Sequence, residues 1–101
     1  MIHVIAQIEL KPGTRDDFLR EFHRIVPLVR EEAGCLDYGP TIDAETDIEN
    51  QCRNPNRVTI VERWESVEHL RAHLSAPHMV EYRPKVKPFI EQAALYVLQP
   101  S

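Results

Sequence analysis

The segment IHVIAQIEL, residues 2–10, alternates without a break. Ile2, Val4, Ala6, Ile8 and Leu10 fall on one side, and His3, Ile5, Gln7 and Glu9 on the other. Alternation of period two marks a β-strand with one face against a core, and the Lys-Pro-Gly that follows ends it. A second strand of this kind is VTIVERWES, residues 58–66. There Val58, Ile60, Glu62 and Trp64 share one face and Thr59, Val61 and Arg63 the other. CLDYGPTID (residues 35–43) and AALYVLQ (residues 93–99) read as two further strands.

The segments between the strands change period. From about residue 15 to 32, Phe18, Phe22, Ile25 and Val29 recur at helical spacing. Thr14 with Asp17 predicts a capping box at the start of this helix, and Gly34 a stop at its end. Pro27 removes one backbone hydrogen bond inside it and predicts a bend. Ser66 predicts the cap of a second helix running to about Leu74, with Val67, Leu70 and Leu74 as its apolar stripe. Pro77 interrupts that helix, and HMVEYRPKVKPFI (residues 78–90) reads as a helical turn followed by irregular chain. Residues 44–57 are polar, end in Asn-Pro-Asn, and read as a hairpin connection.

The resulting order, β-α-β-β-α-β, is the split βαβ or ferredoxin-like arrangement of an α+β protein. Residues 1–101 make one domain at this length. Two helices cover one face of a four-stranded sheet, and Ile5 and Val61 lie on the other. Apolar residues left there predict a homodimer with sheets packed face to face.

A net charge of −4 with dispersed arginines excludes a basic field for nucleic acid. No apolar run is long enough for a membrane span, and the first residues lack a signal-peptide pattern, so a cytoplasmic protein is expected. Cys35 and Cys52 have no CxxC or metal-like spacing and read as free thiols. His69 and His73 stand at i, i+4, a possible metal pair, but HLRAH carries no glutamate between them and no metal is expected.

With the strands placed, VIAQIELKPG, REEAGCLDYGP, VERWES, HLRAHLSAPHM and the final LQP resemble the antibiotic biosynthesis monooxygenase family, and within it the small quinol monooxygenases. The resemblance implies a dimeric α+β barrel that oxidises a quinol or related polyphenol with O2 and needs no cofactor. Haem-degrading relatives have Asn, Trp and His at positions held here by Ala6, His73 and Arg83, so none matches. The strand-end tryptophan of anthrone-oxidising relatives is matched by Trp64, but the asparagine four residues before it is Ile60 here.

Such chemistry needs a base, polar anchors and aromatic walls around a planar ring. His73, on the border of the second helix's apolar stripe, is the first catalytic candidate; an imidazole suits proton abstraction from a phenol. His78, after the Pro77 break, is the second. Trp64, Tyr38, Tyr82 and Arg83 are the substrate-binding candidates, each of which also has a purely structural reading: core packing for the aromatics, a solvated charge for Arg83. Two other functions share the fold. One is an isomerase acting on a small hydroxyketone or sugar phosphate, the other a non-catalytic ligand-binding dimer.

Overall fold

The computed structural model describes residues 1–101. Four strands, β1 (Ile2–Leu10), β2 (Cys35–Thr41), β3 (Arg57–Trp64) and β4 (Ile90–Leu98), form one antiparallel sheet in the order β2-β3-β1-β4. That order is the ferredoxin-like one: β3 lies between β1 and β2, which helix α1 (Arg15–Arg30) connects. Helices α2 (Val67–Leu74) and α3 (Pro77–Val86), then a single 3₁₀ turn at Lys87–Phe89, lead into β4.

The alternation read from β1 is reproduced residue for residue, with all five of its inward positions buried. Phe18, Phe22, Ile25, Val26 and Val29 of α1 close over them. Strand register then sets rows of side chains across the inner face. Tyr38, Glu62, Val4 and Val97 form one row, and Pro40, Ile60, Ala6 and Leu95 the next.

Several local expectations are corrected. Thr14 does not build a capping box: its hydroxyl donates backward to the Lys11 carbonyl at 2.7 Å. The stripe of α2 is rotated, with Leu70 and His73 buried and Val67 and Leu74 exposed. The stretch after Pro77 is a regular helix, because Pro77 occupies its first turn, where no N–H is needed. Met79, Tyr82 and Val86 turn inward from it, and Pro84 lies within the helix without ending it. β4 accordingly begins at Ile90.

The helices leave β4 uncovered. Leu95 and Val97 on its inner face, and Tyr96 and Leu98 on its outer face, are each about half exposed. On the outer face Tyr96 and Val61 flank Ile5 through the register of the sheet.

Gly34 makes the turn from α1 into β2 with φ of +80°. A methyl group there would also run into the His69 side chain. Gly13 has φ of +82° but open space around it. Gly34→Ala is therefore expected to cost more stability than Gly13→Ala, whose cost is limited to about 1–2 kcal/mol of left-handed strain. Denaturant unfolding measures both, and equal losses would show that His69 yields freely.

Candidate active site

Between the inner face of the sheet and the helices lies a cavity of about 760 Å³. Its floor is Ala6, Ile8, Ile60 and Leu95, and Phe18, Phe22, Met79 and Val86 supply its apolar walls. Six polar or charged side chains line it: Tyr38, Glu62, His73, Tyr82, Arg83 and Lys87. A mostly apolar space of a few hundred cubic ångströms with few convergent polar groups is the usual form of a small-molecule site.

His73 is held on every side. Trp64 packs on it with ring centroids 4.7 Å apart, and Tyr38 meets it edge-on at 5.3 Å. Only 2% of its surface is exposed. Its Nδ1 lies 3.0 Å and 3.1 Å from the two carboxyl oxygens of Glu32. Burial lowers the pKa of this imidazole, while Glu32 pulls it back up. With the Glu32 carboxylate as acceptor, the ring nitrogen that faces it is the one that carries a hydrogen.

Glu32 lies just beyond α1, before the Gly34 turn, and also accepts a hydrogen bond from His78 Nε2 at 2.6 Å. His78 does not line the large cavity. It faces a small outer cleft between α1 and α3, beside Glu21, Arg24, Glu81 and Lys85. The two histidines singled out from sequence thus converge on one carboxylate. Glu32 is the residue that sequence reasoning missed, although it stands inside the EEAGC motif.

Glu62 was also missed as a functional residue, and its signal was visible: a lone charge among Val58, Ile60 and Trp64 on the core face of a strand. One oxygen accepts the Trp64 indole N–H at 2.8 Å. Burial raises its carboxyl from the ordinary 4.5 to about 7, against the lowering effect of that hydrogen bond. Burial likewise pushes the Tyr38 and Tyr82 phenols above their ordinary range, so both stay protonated donors. No polar side-chain atom is sealed in the interior without a partner. His73 Nε2, the second Glu62 oxygen and both tyrosine hydroxyls have no partner in the protein and are therefore not sealed, and the four residues that bear them line the cavity.

Trp64 is fully buried behind His73 and does not line the cavity. It positions His73 and Glu62 and leaves the wall to other side chains. Arg83 lines the cavity and donates to the carbonyl of Leu74, at the end of α2. Its charge suits that helix terminus. Cys35 and Cys52 are free thiols, and no helix is long and apolar enough to cross a membrane.

This fold is that of a known family. Residues 1–85 match the antibiotic biosynthesis monooxygenase family. The chain is 39% identical, over 99% of its own length and 98% of the relative's, to a protein of Escherichia coli K12 named probable quinol monooxygenase YgiN. Solved structures of similar fold include a conserved protein from Methanosarcina mazei Go1, at TM-score 0.86 and 23% identity, covering 99% of this chain and 92% of that one. Another is Rv0793 from Mycobacterium tuberculosis, at TM-score 0.82 and 25% identity, covering 99% and 94%. The chain belongs to the antibiotic biosynthesis monooxygenase family, and the match supports a monooxygenase-type function.

The raised Glu62 carboxyl makes a prediction about stability. A carboxyl protonated more readily in the fold than in the unfolded chain stabilises fully below about pH 4.5, and this contribution is lost as pH rises through about 7. Glu62→Gln keeps an acceptor for Trp64 and removes the titration. Relative to this variant, the native chain is expected to lose on the order of 3 kcal/mol between about pH 4 and about pH 9. Urea unfolding of both proteins at the two pH values measures it. A difference that stays constant with pH would contradict the raised carboxyl.

Proposed function

We propose that the protein is a cofactor-independent monooxygenase that oxidises a quinol or related polyphenol with O2. The observation that carries this reading is that His73, Glu62, Tyr38 and Tyr82, each with a polar atom left unpartnered in the protein, line one aromatic-walled cavity. The name of the Escherichia coli relative agrees with it.

Triplet O2 reacts poorly with closed-shell molecules but accepts an electron from a phenolate, so the protein's task is to make and hold the anion. His73 Nε2 takes the proton of a ring hydroxyl, the O–H bond breaking as an N–H bond forms. The phenolate passes one electron to O2, and the semiquinone and superoxide combine through a new C–O bond. His73 returns its proton to the outer peroxide oxygen; the ring C–H bond then breaks, its electrons form a C=O bond as the O–O bond breaks, and the departing hydroxide takes the C–H proton to become water. Quinol and O2 become hydroxyquinone and water, with one oxygen atom in each product and no external reductant. Glu62, near neutrality in its titration, is the acceptor for the second ring hydroxyl. Tyr38 and Tyr82 donate to the anion, and apolar walls exclude water.

The active unit in this proposal is a homodimer. Both faces of β4 carry half-exposed apolar residues, and Leu95 borders the cavity, so a second copy laid against β4 would close the site on that side. A hydroxyketone or sugar-phosphate isomerase is the second reading, favoured by Arg83 and Lys87 among the lining residues. It differs in needing no oxygen. A non-catalytic ligand-binding dimer would turn over nothing.

An oxygen electrode decides among these. Metal-free protein is expected to consume O2 with reduced quinones above the autoxidation rate, and His73→Ala to lower kcat by about 10²-fold or more, the usual scale for losing a general base. No excess O2 uptake across a panel of quinols would overturn the monooxygenase reading, and anaerobic turnover of a hydroxyketone would establish the isomerase.

Sedimentation tests the assembly separately. The native chain is expected at twice its monomer mass at micromolar concentration, and Leu95→Glu at the monomer mass. A monomeric native chain would overturn the dimer.

A further inference from the structure

We propose that Glu32 is the positioning residue of the base: it holds a proton on His73 Nδ1 so that Nε2 presents its lone pair to the cavity, and His78 holds Glu32 in that role from the surface side. The inference rests on the monooxygenase reading for what His73 does, but its geometry stands apart from the identity of the substrate.

The argument begins with the donors. An ionised carboxylate only accepts, so each ring nitrogen facing Glu32 must carry a hydrogen. On neutral His73 this places the proton on Nδ1, which touches both Glu32 oxygens, and leaves Nε2 as the lone-pair nitrogen. Trp64 and Tyr38 hold the ring from two sides. A carboxylate that fixes the tautomer of a buried imidazole and stabilises the imidazolium is the arrangement that makes histidine an effective base. During the reaction the Nδ1–H bond does not break. Nε2 gains the substrate proton and later returns it, while the Glu32 charge faces the transient cation.

His78 explains why Glu32 stays in place. The side chain of Glu32 is 15% exposed, and Oε2 receives both His73 Nδ1 and His78 Nε2. His78 comes from the first turn of α3, which Pro77 starts, so the helix break between His73 and His78 is what lets both rings reach one carboxylate. The charged surroundings have opposite signs. Glu32 favours the His73 cation, whereas His78 and Arg83 of α3 disfavour it. Glu62 enters the same cavity from β3. Glu21 and Arg24 of α1, with Glu81 and Lys85 of α3, surround His78 in the outer cleft.

The test combines kinetics with NMR of the full chain labelled with ¹⁵N-histidine, so that it does not depend on activity alone. In the native protein, neutral His73 is expected as the Nδ1–H tautomer. In Glu32→Gln its titration midpoint is expected to fall and the Nε2–H tautomer to appear. In His78→Ala, which frees Glu32 on its surface side, the midpoint is expected to fall by less than in Glu32→Gln, with both tautomers present. A graded fall with a tautomer change at His73, while the other histidines keep their native signals, is not produced by general loosening. With a reduced quinone as substrate, Glu32→Gln is expected to lower kcat by about 10³-fold while KM changes little, approaching the loss of a histidine left in the wrong tautomer. An unchanged His73 tautomer and midpoint in both variants, or an unchanged kcat in Glu32→Gln, overturns the inference. If the native protein turns over no quinol, the monooxygenase reading fails, and the NMR result alone decides the role of Glu32. Should Glu32→Gln not fold, the native tautomer and the His78→Ala shift decide it.

Discussion

One carboxylate ties the helical layer together. Glu32, at the turn between α1 and β2, receives an N–H from His73 on α2 and another from His78 on α3. Three elements that meet the sheet separately thus share a single acceptor. Charge-assisted hydrogen bonds of this kind are stronger than neutral ones, and burial makes each more costly to leave unmade. With α2 fixed at His73 and α3 at His78, Tyr82 is set against Phe22, at a centroid distance of 5.9 Å. Phe22 stacks in turn on Tyr38 at 5.5 Å. The cavity is what remains between this aromatic cluster and the sheet, so its shape follows from where Glu32 holds the helices.

The fold was largely legible because the sheet is patterned simply. β1 and β3 lie in the middle of it and bury one face each, so alternation in residues 2–10 and 58–64 marks both their existence and their sidedness. The region after Pro77 was harder. Three prolines between residues 77 and 88 suggested broken chain, yet Pro77 sits where a helix tolerates proline and Pro84 is carried inside α3. The inward stripe of Met79, Tyr82 and Val86 was present at helical spacing and outweighed the prolines. In α2 the histidine belongs to the buried face and Leu74 does not, because the partner that satisfies His73 lies 41 residues earlier in the chain. A hydropathy stripe cannot register such a partner.

The site was legible in part for the same reason. His73 could be aimed at a cavity from helix geometry, and Glu62 could have been found as a charge on an apolar strand face. Glu32 could not be found from periodicity, since an acid at a helix end is ordinarily solvated and its two partners come from later elements. Nor could the place of Trp64. A tryptophan at a strand end fits a pocket wall and a core position equally well, and only the packing of His73 over its ring puts it behind the base.

Desolvation gives the cavity its chemical character. It acts on His73 and Glu62 in opposite directions on the pH scale and toward the same end, favouring the neutral form of each. It also keeps both phenols protonated. In the proposed reaction an uncharged quinol meets neutral groups on His73 and the two tyrosines, with the Glu32 carboxylate one bond network behind. Proton transfer creates a phenolate and an imidazolium side by side where neither could persist alone. The phenolate is stabilised by donors already in place, and the imidazolium by Glu32. A permanently charged base in the cavity would carry its desolvation cost before the substrate arrived. Placing the charge behind the ring, on a carboxylate held by His78, leaves the His73 imidazole itself uncharged until the proton moves.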